Sequence, residues 1–423
     1  MGCRFSIFEQ ILKVASNKLK ILNDPIYGFI SLPDELIYDL VNHPYFQRLR
    51  RISQMGLSSL VFPGAQHTRF HHALGSMHLM QKAVDVLRSK GTAISPEEEQ
   101  ALYVAILLHD IGHGPFSHAM ENSIAENVHH ESISLLFMQR LNTLFSGKLE
   151  LAIEIFTGNY PRKFMLQLVS SQLDMDRMDY LKRDSFFTGV AEGNINSDRL
   201  IQMLHVVDDV LMIEEKAIYS VEKFLMARRL MYWQAYLHKT SLSAELMLMK
   251  VLKRARELVR KEVNVEASAP LQFFIQNKIT TADFDDATLD RFAQLDDYDI
   301  ISALKQWQFH SDPILSDLSR MVINRDLLKI RLDAEKFPAG ELARLVEIFT
   351  ASNGMTPAEA KYYIFKGKIR NQAYSNELEP IRILRRDGTV GDVIEASDQM
   401  NLKALSKPVI KYYMCFPKQL SEK

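Results

Sequence analysis

Cysteine is scarce: the 423-residue chain has two, Cys3 and Cys415, at opposite ends. So wide a separation offers no disulfide framework and suits a reducing cytoplasm, where we expect the protein to reside. Excess charge of either sign is missing too. Lys and Arg number 51 against 52 Asp and Glu, the net charge is −1 and the pI is about 6.9. That balance gives no global pull toward nucleic acid or a membrane surface, although local basic clusters remain free to hold phosphate. No apolar run reaches the roughly 20 residues that cross a bilayer. Lys, Glu and Asn interrupt Ile7–Leu22, which therefore lacks the layout of a secretory signal. The opening Met1-Gly2-Cys3-Arg4-Phe5-Ser6 meets only the loose pattern for myristoylation. Internal repeats and low-complexity segments are absent.

What is present is an ordinary globular composition, 47% apolar and 24% charged, in a chain long enough for a large core. Apolar residues at helical spacing predict helices over Ser6–Leu22, around Leu36–Val41, over Phe46–Ile52 and from Arg69 to about Arg88. Ser95 reads as an N-cap with Pro96 in the first helical position and acidic residues behind it, opening a helix to Asp110. Further helices are expected over His130–Leu144, Gly147–Phe156, Arg162–Ser171 and, free of Gly and Pro, Ala217–Lys261. A turn at Asn23–Gly28 precedes a short strand, Phe29–Leu32. Strands are expected late, over Lys329–Asp333, Lys361–Phe365, Pro380–Leu384 and Val409–Met414, with helices near Ala339–Ser352, Pro357–Lys361 and Met400–Ser406. The expected class is mainly α: an N-terminal segment (1–22), a helical domain (23–330) and a small C-terminal α+β domain (331–423).

One stretch carries chemistry. Ala101-Leu-Tyr-Val-Ala-Ile-Leu-Leu runs into His109-Asp110, then Ile-Gly-His113-Gly-Pro-Phe-Ser-His118. Ionisable groups at the end of a buried helix are expensive unless partnered. Three histidines and an aspartate within ten residues, on an apolar post, have the make-up of a metal and phosphate site. A divalent metal held by imidazole and carboxylate needs three or four groups converging from different elements. His109 and Asp110 supply two, and His72, opening an amphipathic helix, is a good third. Asp176 is the best fourth. It lies in Leu173-Asp-Met-Asp-Arg-Met-Asp-Tyr-Leu-Lys-Arg-Asp184, where Asp176, Asp179 and Asp184 cannot all face one point, so some are structural.

The order His72…His109-Asp110…Asp176 resembles the HD superfamily of metal-dependent phosphohydrolases. The flanking text is similar to its deoxynucleotide triphosphohydrolase branch, which includes the vertebrate SAM/HD-domain enzyme and bacterial relatives. It comprises Asn23-Asp-Pro-Ile, Phe46-Gln-Arg-Leu-Arg50, Val61-Phe-Pro-Gly-Ala65, Arg69-Phe, Asp176-Arg-Met-Asp-Tyr-Leu-Lys-Arg-Asp184 and Ala235-Tyr-Leu-His-Lys239. The likeness covers roughly residues 20–260, and an N-terminal SAM domain is not expected in the segment before it.

The resemblance implies hydrolysis of a dNTP to deoxynucleoside and triphosphate at a divalent metal (Fe, Mn, Zn, Ni or Mg) held by His72, His109, Asp110 and Asp176. It places Arg69, His113, His118, His130, Arg177, Tyr180 and Arg228 at phosphate-contacting positions, Arg177 standing where a lysine is also found. His118 becomes the general acid and His130 its supporting or alternative partner, since a histidine pKa lies near the working pH. Glu121 stands where the family often has an aspartate able to orient a histidine. Gln54 and Asp184 match contacts to the sugar 3′-hydroxyl, and Tyr236 matches the residue that crowds out a 2′-hydroxyl. Leu237 replaces a polar glutamine beside the nucleotide. Gln47 and Arg50 match a regulatory nucleotide site between subunits, where Asn42 replaces the aspartate that reads a guanine edge; guanine-specific activation is therefore disfavoured. Dimers or tetramers, and neither membrane nor strong nucleic-acid binding, are the expected associations.

Two alternatives stand beside this expectation. One is an HD phosphohydrolase acting on another nucleotide, a monophosphate or a signalling nucleotide. The other is a catalytically weak nucleotide-sensing or nucleic-acid-binding scaffold, opposed by the intact ligand set and the near-neutral charge.

Overall fold

A computed structural model describes residues 20–116, 128–372, 374, 380–397 and 407–422. His118, Glu121, most of the N-terminal helix expected over Ser6–Leu22 and the helix expected over Met400–Ser406 lie outside the described residues.

The architecture is mainly helical, with small sheets. Strands β1 (Lys20–Asp24) and β2 (Gly28–Leu32) form an antiparallel hairpin, so Lys20–Leu22 is extended where a helix end was expected. Its turn is set by Asp24, whose Oδ1 accepts from the backbone N–H groups of Ile26 (2.9 Å) and Tyr27 (3.0 Å). The basic helix expected over Phe46–Ile52 is a single α-turn, Pro44–Gln47, tightening into a 3₁₀ turn, Arg48–Arg51.

Helix α1 (Arg69–Ser89) is buried along most of its length and packs against both α2 (Pro96–Leu108) and α4 (Met175–Thr188); α3 (His130–Leu144) lies between the last two in the chain. Helix α2 starts as expected: Ser95 and Glu98 form a reciprocal capping box, with Pro96 in the first turn. The Asp174 side chain caps α4, and Gly189, in the left-handed region at φ 75°, ends it.

The long helix expected over Ala217–Lys261 is interrupted. Helix α5 (Ile218–Met231) widens into a π-turn at Tyr232–Tyr236, where the Leu237 N–H reaches the Tyr232 carbonyl at 2.7 Å. The His238 side chain then caps a new helix, α6 (Lys239–Val259). No Gly or Pro announces this break; π-turns of this kind concentrate at functional sites.

An antiparallel hairpin, β3 (Leu204–Val207) and β4 (Val210–Glu214), was not anticipated. Strand β5 (Lys329–Asp333) precedes β6 (Phe365–Asn371), which begins where the expected strand Lys361–Phe365 was to end; residues 361–363 form a turn. Then follow β7 (Arg382–Leu384), β8 (Val390–Asp392) and β9 (Val409–Phe416). The strand orders are β3-β4-β7-β8 and β5-β9-β6, and β4 pairs in parallel with β7, so the late segment shares a sheet with the 204–214 hairpin. No helix among the described residues is long and apolar enough to cross a membrane.

Candidate metal and nucleotide site

The ends of α1, α2 and α4 bring His72, His109 and Asp176 together, with one ligand atom of each within 4.8 Å of the others. The His72 Nε2 lies 3.0 Å from Asp176 Oδ1, and the His109 Nε2 lies 3.4 Å from the same oxygen. Both Nε2 atoms are buried, and neither has a partner in hydrogen-bonding geometry among the described residues. Each ring is instead anchored through its other nitrogen. His109 Nδ1 sits 2.6 Å from the Ile106 carbonyl and His72 Nδ1 sits 2.8 Å from Asp179 Oδ2. In the Nδ1–H form that a bound cation would select, both Nε2 lone pairs face the Asp176 side of the site. Asp110 adds its carboxylate, 3.7 Å from His72 Nε2 and 3.5 Å from His109 Nε2. Two orphaned imidazole nitrogens and two carboxylates are a donor set that fits a divalent cation.

Electrostatics agree. Burial would lower the His72 pKa, but Asp176 and Asp179 raise it to about 10. The negative charge responsible is charge that a cation would neutralise. Burial would raise the Asp110 carboxyl, yet His113, His109 and Arg69 hold it well below the usual carboxylate range. Burial, helped by Arg69, also holds His113 far below its ordinary value and therefore neutral. The Arg69 guanidinium, bonded to Asp110 Oδ2, is thus the lasting positive partner.

His113 Nε2 lies 3.2 Å from Asp110 Oδ1, and its ring stacks on His130 at 3.8 Å between centroids. Gly112 permits this approach: a Cβ there would fall 2.2 Å from the His130 carbonyl oxygen. Its N–H donates to Ser134 Oγ, which donates to the His109 carbonyl, tying the start of α3 to the His-Asp turn.

Arg69, His109, Asp110, His113, His130 and Asp176 line a cleft of about 520 Å³ that also includes Gln54, Arg177, Tyr180, Asp184, Tyr236, Leu237 and Glu245. Arg177 pairs with the capping Asp174, and Arg228 donates to Gln172 Oε1 at 3.1 Å. Arg228, on α5, is buried and is not among the residues that line the cleft. Asp184 is held by two partners, Tyr236 Oη donating to Oδ2 at 2.7 Å and His67 Nε2 at 2.6 Å from Oδ1. Phe187 stacks on the His67 ring at 4.4 Å. The nearby Gln54 Oε1 is buried without a hydrogen-bond partner among the described residues. The π-turn is what delivers Tyr236 and Leu237 to this wall.

Asn42, Gln47 and Arg50 are not in the cleft lining. Arg50 Nε donates to Gln47 Oε1 at 2.9 Å, Gln47 Nε2 donates to the Val41 carbonyl and Asn42 Nδ2 to the Tyr38 carbonyl. They form a separate, partly exposed patch.

Sequence reasoning missed His67, Asp179 as a partner of His72, and Glu245. Asp179 had one usable signal, its i, i+3 spacing from Asp176 on a helix. His67 had only its position two residues before Arg69.

The HD domain model matches residues 69–184, and the HD associated region model matches residues 195–269. A solved phosphohydrolase from Bacteroides thetaiotaomicron is 51% identical; the match covers 94% of this chain and all of that one, with a TM-score of 0.91. The uncharacterized protein YwfO of Bacillus subtilis is 33% identical over 89% of this chain and 88% of its own length. The deoxynucleoside triphosphate triphosphohydrolase SAMHD1 of Homo sapiens is 28% identical over 60% of this chain and 47% of its own length.

Proposed function

Because this chain belongs to the HD-domain phosphohydrolases, in the branch that resembles the dNTP triphosphohydrolases, we propose that it hydrolyses deoxynucleoside triphosphates to deoxynucleoside and triphosphate. The observation that carries this reading is one cleft with two kinds of lining. His109, Asp110, Asp176, Arg69 and Arg177 line it, with His72 converging on Asp176 and both imidazole Nε2 atoms lacking a hydrogen-bond partner among the described residues. Tyr236, Asp184 and Gln54 line it too, Asp184 held by Tyr236 and by His67 and the Gln54 amide oxygen unpartnered among the described residues. The first set suits a metal and a polyanion, the second a sugar bearing a single hydroxyl.

His72, His109, Asp110 and Asp176 would hold the cation, which when bound supplies Lewis acidity toward a phosphoryl oxygen and water. Arg69 and Arg177 neutralise the triphosphate, and neutral His113 offers a hydrogen bond without adding charge. The bond between the α-phosphorus and the 5′-oxygen breaks, water supplies the new P–O bond, and a proton must reach the leaving 5′-oxygen. His118 is assigned to that proton, with His130 as its partner and Glu121 orienting it. Asp184 and Gln54 take the 3′-hydroxyl, and the Tyr236 phenol, fixed by Asp184, occupies the space of a 2′-hydroxyl. On the same reading the chain works in the cytoplasm as a dimer or tetramer, and the Asn42–Gln47–Arg50 patch is where a regulatory nucleotide would dock.

The test is incubation of metal-loaded protein with each dNTP and NTP, followed by separation of products. Tripolyphosphate together with deoxynucleoside supports the reading. Release of only orthophosphate or pyrophosphate, or no turnover with any divalent metal, overturns it.

A further inference from the structure

The side of the His72 ring turned away from the cation position is built with unusual care. Asp179 Oδ2 meets His72 Nδ1 at 2.8 Å. Arg183 donates from Nε to Asp179 Oδ2 at 2.8 Å and from Nη2 to Asp179 Oδ1 at 2.9 Å. Its third nitrogen, Nη1, donates to Asp24 Oδ2 at 2.7 Å. The Asp179 and Arg183 side chains are fully removed from solvent. The other oxygen of Asp24 is committed to the N–H groups of Ile26 and Tyr27 in the β1–β2 turn.

We propose that Asp179, Arg183 and Asp24 form a buried positioning chain that fixes the orientation and tautomer of His72 for a divalent cation, anchoring the metal centre to the β1–β2 hairpin. The proposal rests on the ligand assignment for His72 and adds three residues outside that ligand set. Asp176, Asp179 and Arg183 fall at i, i+3 and i+7 on α4, so one helix face carries the ligand, the support and the cation that holds the support. A carboxylate on Nδ1 keeps the proton there and makes the ring a stronger donor at Nε2. His109 receives only a neutral carbonyl at the equivalent atom; the two ligands are therefore not equally strengthened. The bidentate Arg183 fork denies Asp179 any rotation. Asp24, a residue of the β-hairpin far away in sequence, determines whether the fork itself is balanced.

The alternative is that the three residues only hold the fold. Measuring Mn²⁺ affinity of the full chain by calorimetry, with the electron paramagnetic resonance spectrum of bound Mn²⁺, separates the two. Asp179→Asn is expected to weaken Mn²⁺ binding about 10–100-fold and to alter the spectrum, in the range found when outer partners of metal-ligating histidines are replaced. Asp24→Asn should weaken it several-fold, and Arg183→Lys, which keeps charge but loses the fork, should fall between them. If Asp179→Asn does not fold, Asp24→Asn carries the test. Wild-type affinity and spectrum in these variants, with native circular dichroism, overturn the proposal. His72→Ala keeps the two failures apart. If it also binds Mn²⁺ normally, the ligand assignment is wrong; if it alone loses Mn²⁺, only the positioning chain is.

Discussion

Gly75 lies in the interior of α1, where Gly→Ala ordinarily stabilises a helix by about 0.5–1 kcal/mol. Here the opposite is expected. A Cβ on residue 75 would lie 2.0 Å from Asp179 Oδ1, 2.2 Å from Arg183 Nη2 and 2.8 Å from Asp179 Cγ. Relief needs displacements of more than 1 Å in side chains that have no solvent to move into. Overpacking of this kind costs about 1–3 kcal/mol. If the methyl separates Asp179 from Arg183, the cost rises to about 3 kcal/mol, because each buried charge keeps only its other partner, His72 for Asp179 and Asp24 for Arg183. Both figures exceed the helix-propensity gain, so Gly75→Ala should destabilise. Urea unfolding monitored by far-ultraviolet circular dichroism should show a lower midpoint with an unchanged slope, and Mn²⁺ affinity should fall in parallel. A variant as stable as wild type, with unchanged Mn²⁺ binding, would refute the claim that Gly75 exists to admit the ion pair.

Further outcomes follow from the same geometry. His109→Ala and Asp110→Ala should each abolish both bound metal, by elemental analysis, and tripolyphosphate release; activity retained in either rules out that ligand. Tyr236→Phe leaves Asp184 Oδ2 without its donor, a loss of roughly 1–3 kcal/mol, and frees space on the sugar wall. The ratio of kcat/KM for dNTP over NTP should therefore drop, and an unchanged ratio would remove Tyr236 from sugar selection. Asp297 supplies the pH dependence: burial raises its carboxyl to about 6, against the pull of the Ser53 and Phe116 N–H groups. A folded value above the unfolded one, about 3.9, means its stabilising contribution is complete below about pH 4 and is lost as pH rises through 6. That contribution is on the order of 3 kcal/mol. Urea midpoints across that window should fall less steeply with rising pH in Asp297→Asn than in wild type; parallel profiles would contradict the assignment.

How much of this was legible in the sequence depended on whether a residue's purpose is local. His109-Asp110 could be read because an ionisable pair ending an apolar helix needs partners whatever the rest of the chain does. Ser95 and Pro96 could be read because a helix cap is completed within four residues. The three aspartates of α4 were legible only halfway. Helix geometry showed that they cannot all meet one point, but only packing reveals that Asp176 faces His72 and His109, Asp179 backs His72 and Asp184 meets Tyr236 and His67. The break before α6 was illegible because no backbone-breaking residue causes it; it rests on a wider hydrogen-bonded turn and a histidine cap. The β3–β4 hairpin did leave a trace, two short, mostly apolar runs containing Val and Ile around Asp208 and Asp209, which sit at φ 50° and 56° as its tight turn requires. The pattern has a physical cause. Groups that touch substrate or metal must be chemically distinctive and so stand out in a string of letters. The groups that aim them, such as Asp24, His67 and Gly75, are ordinary residues whose meaning lies in what stands opposite them.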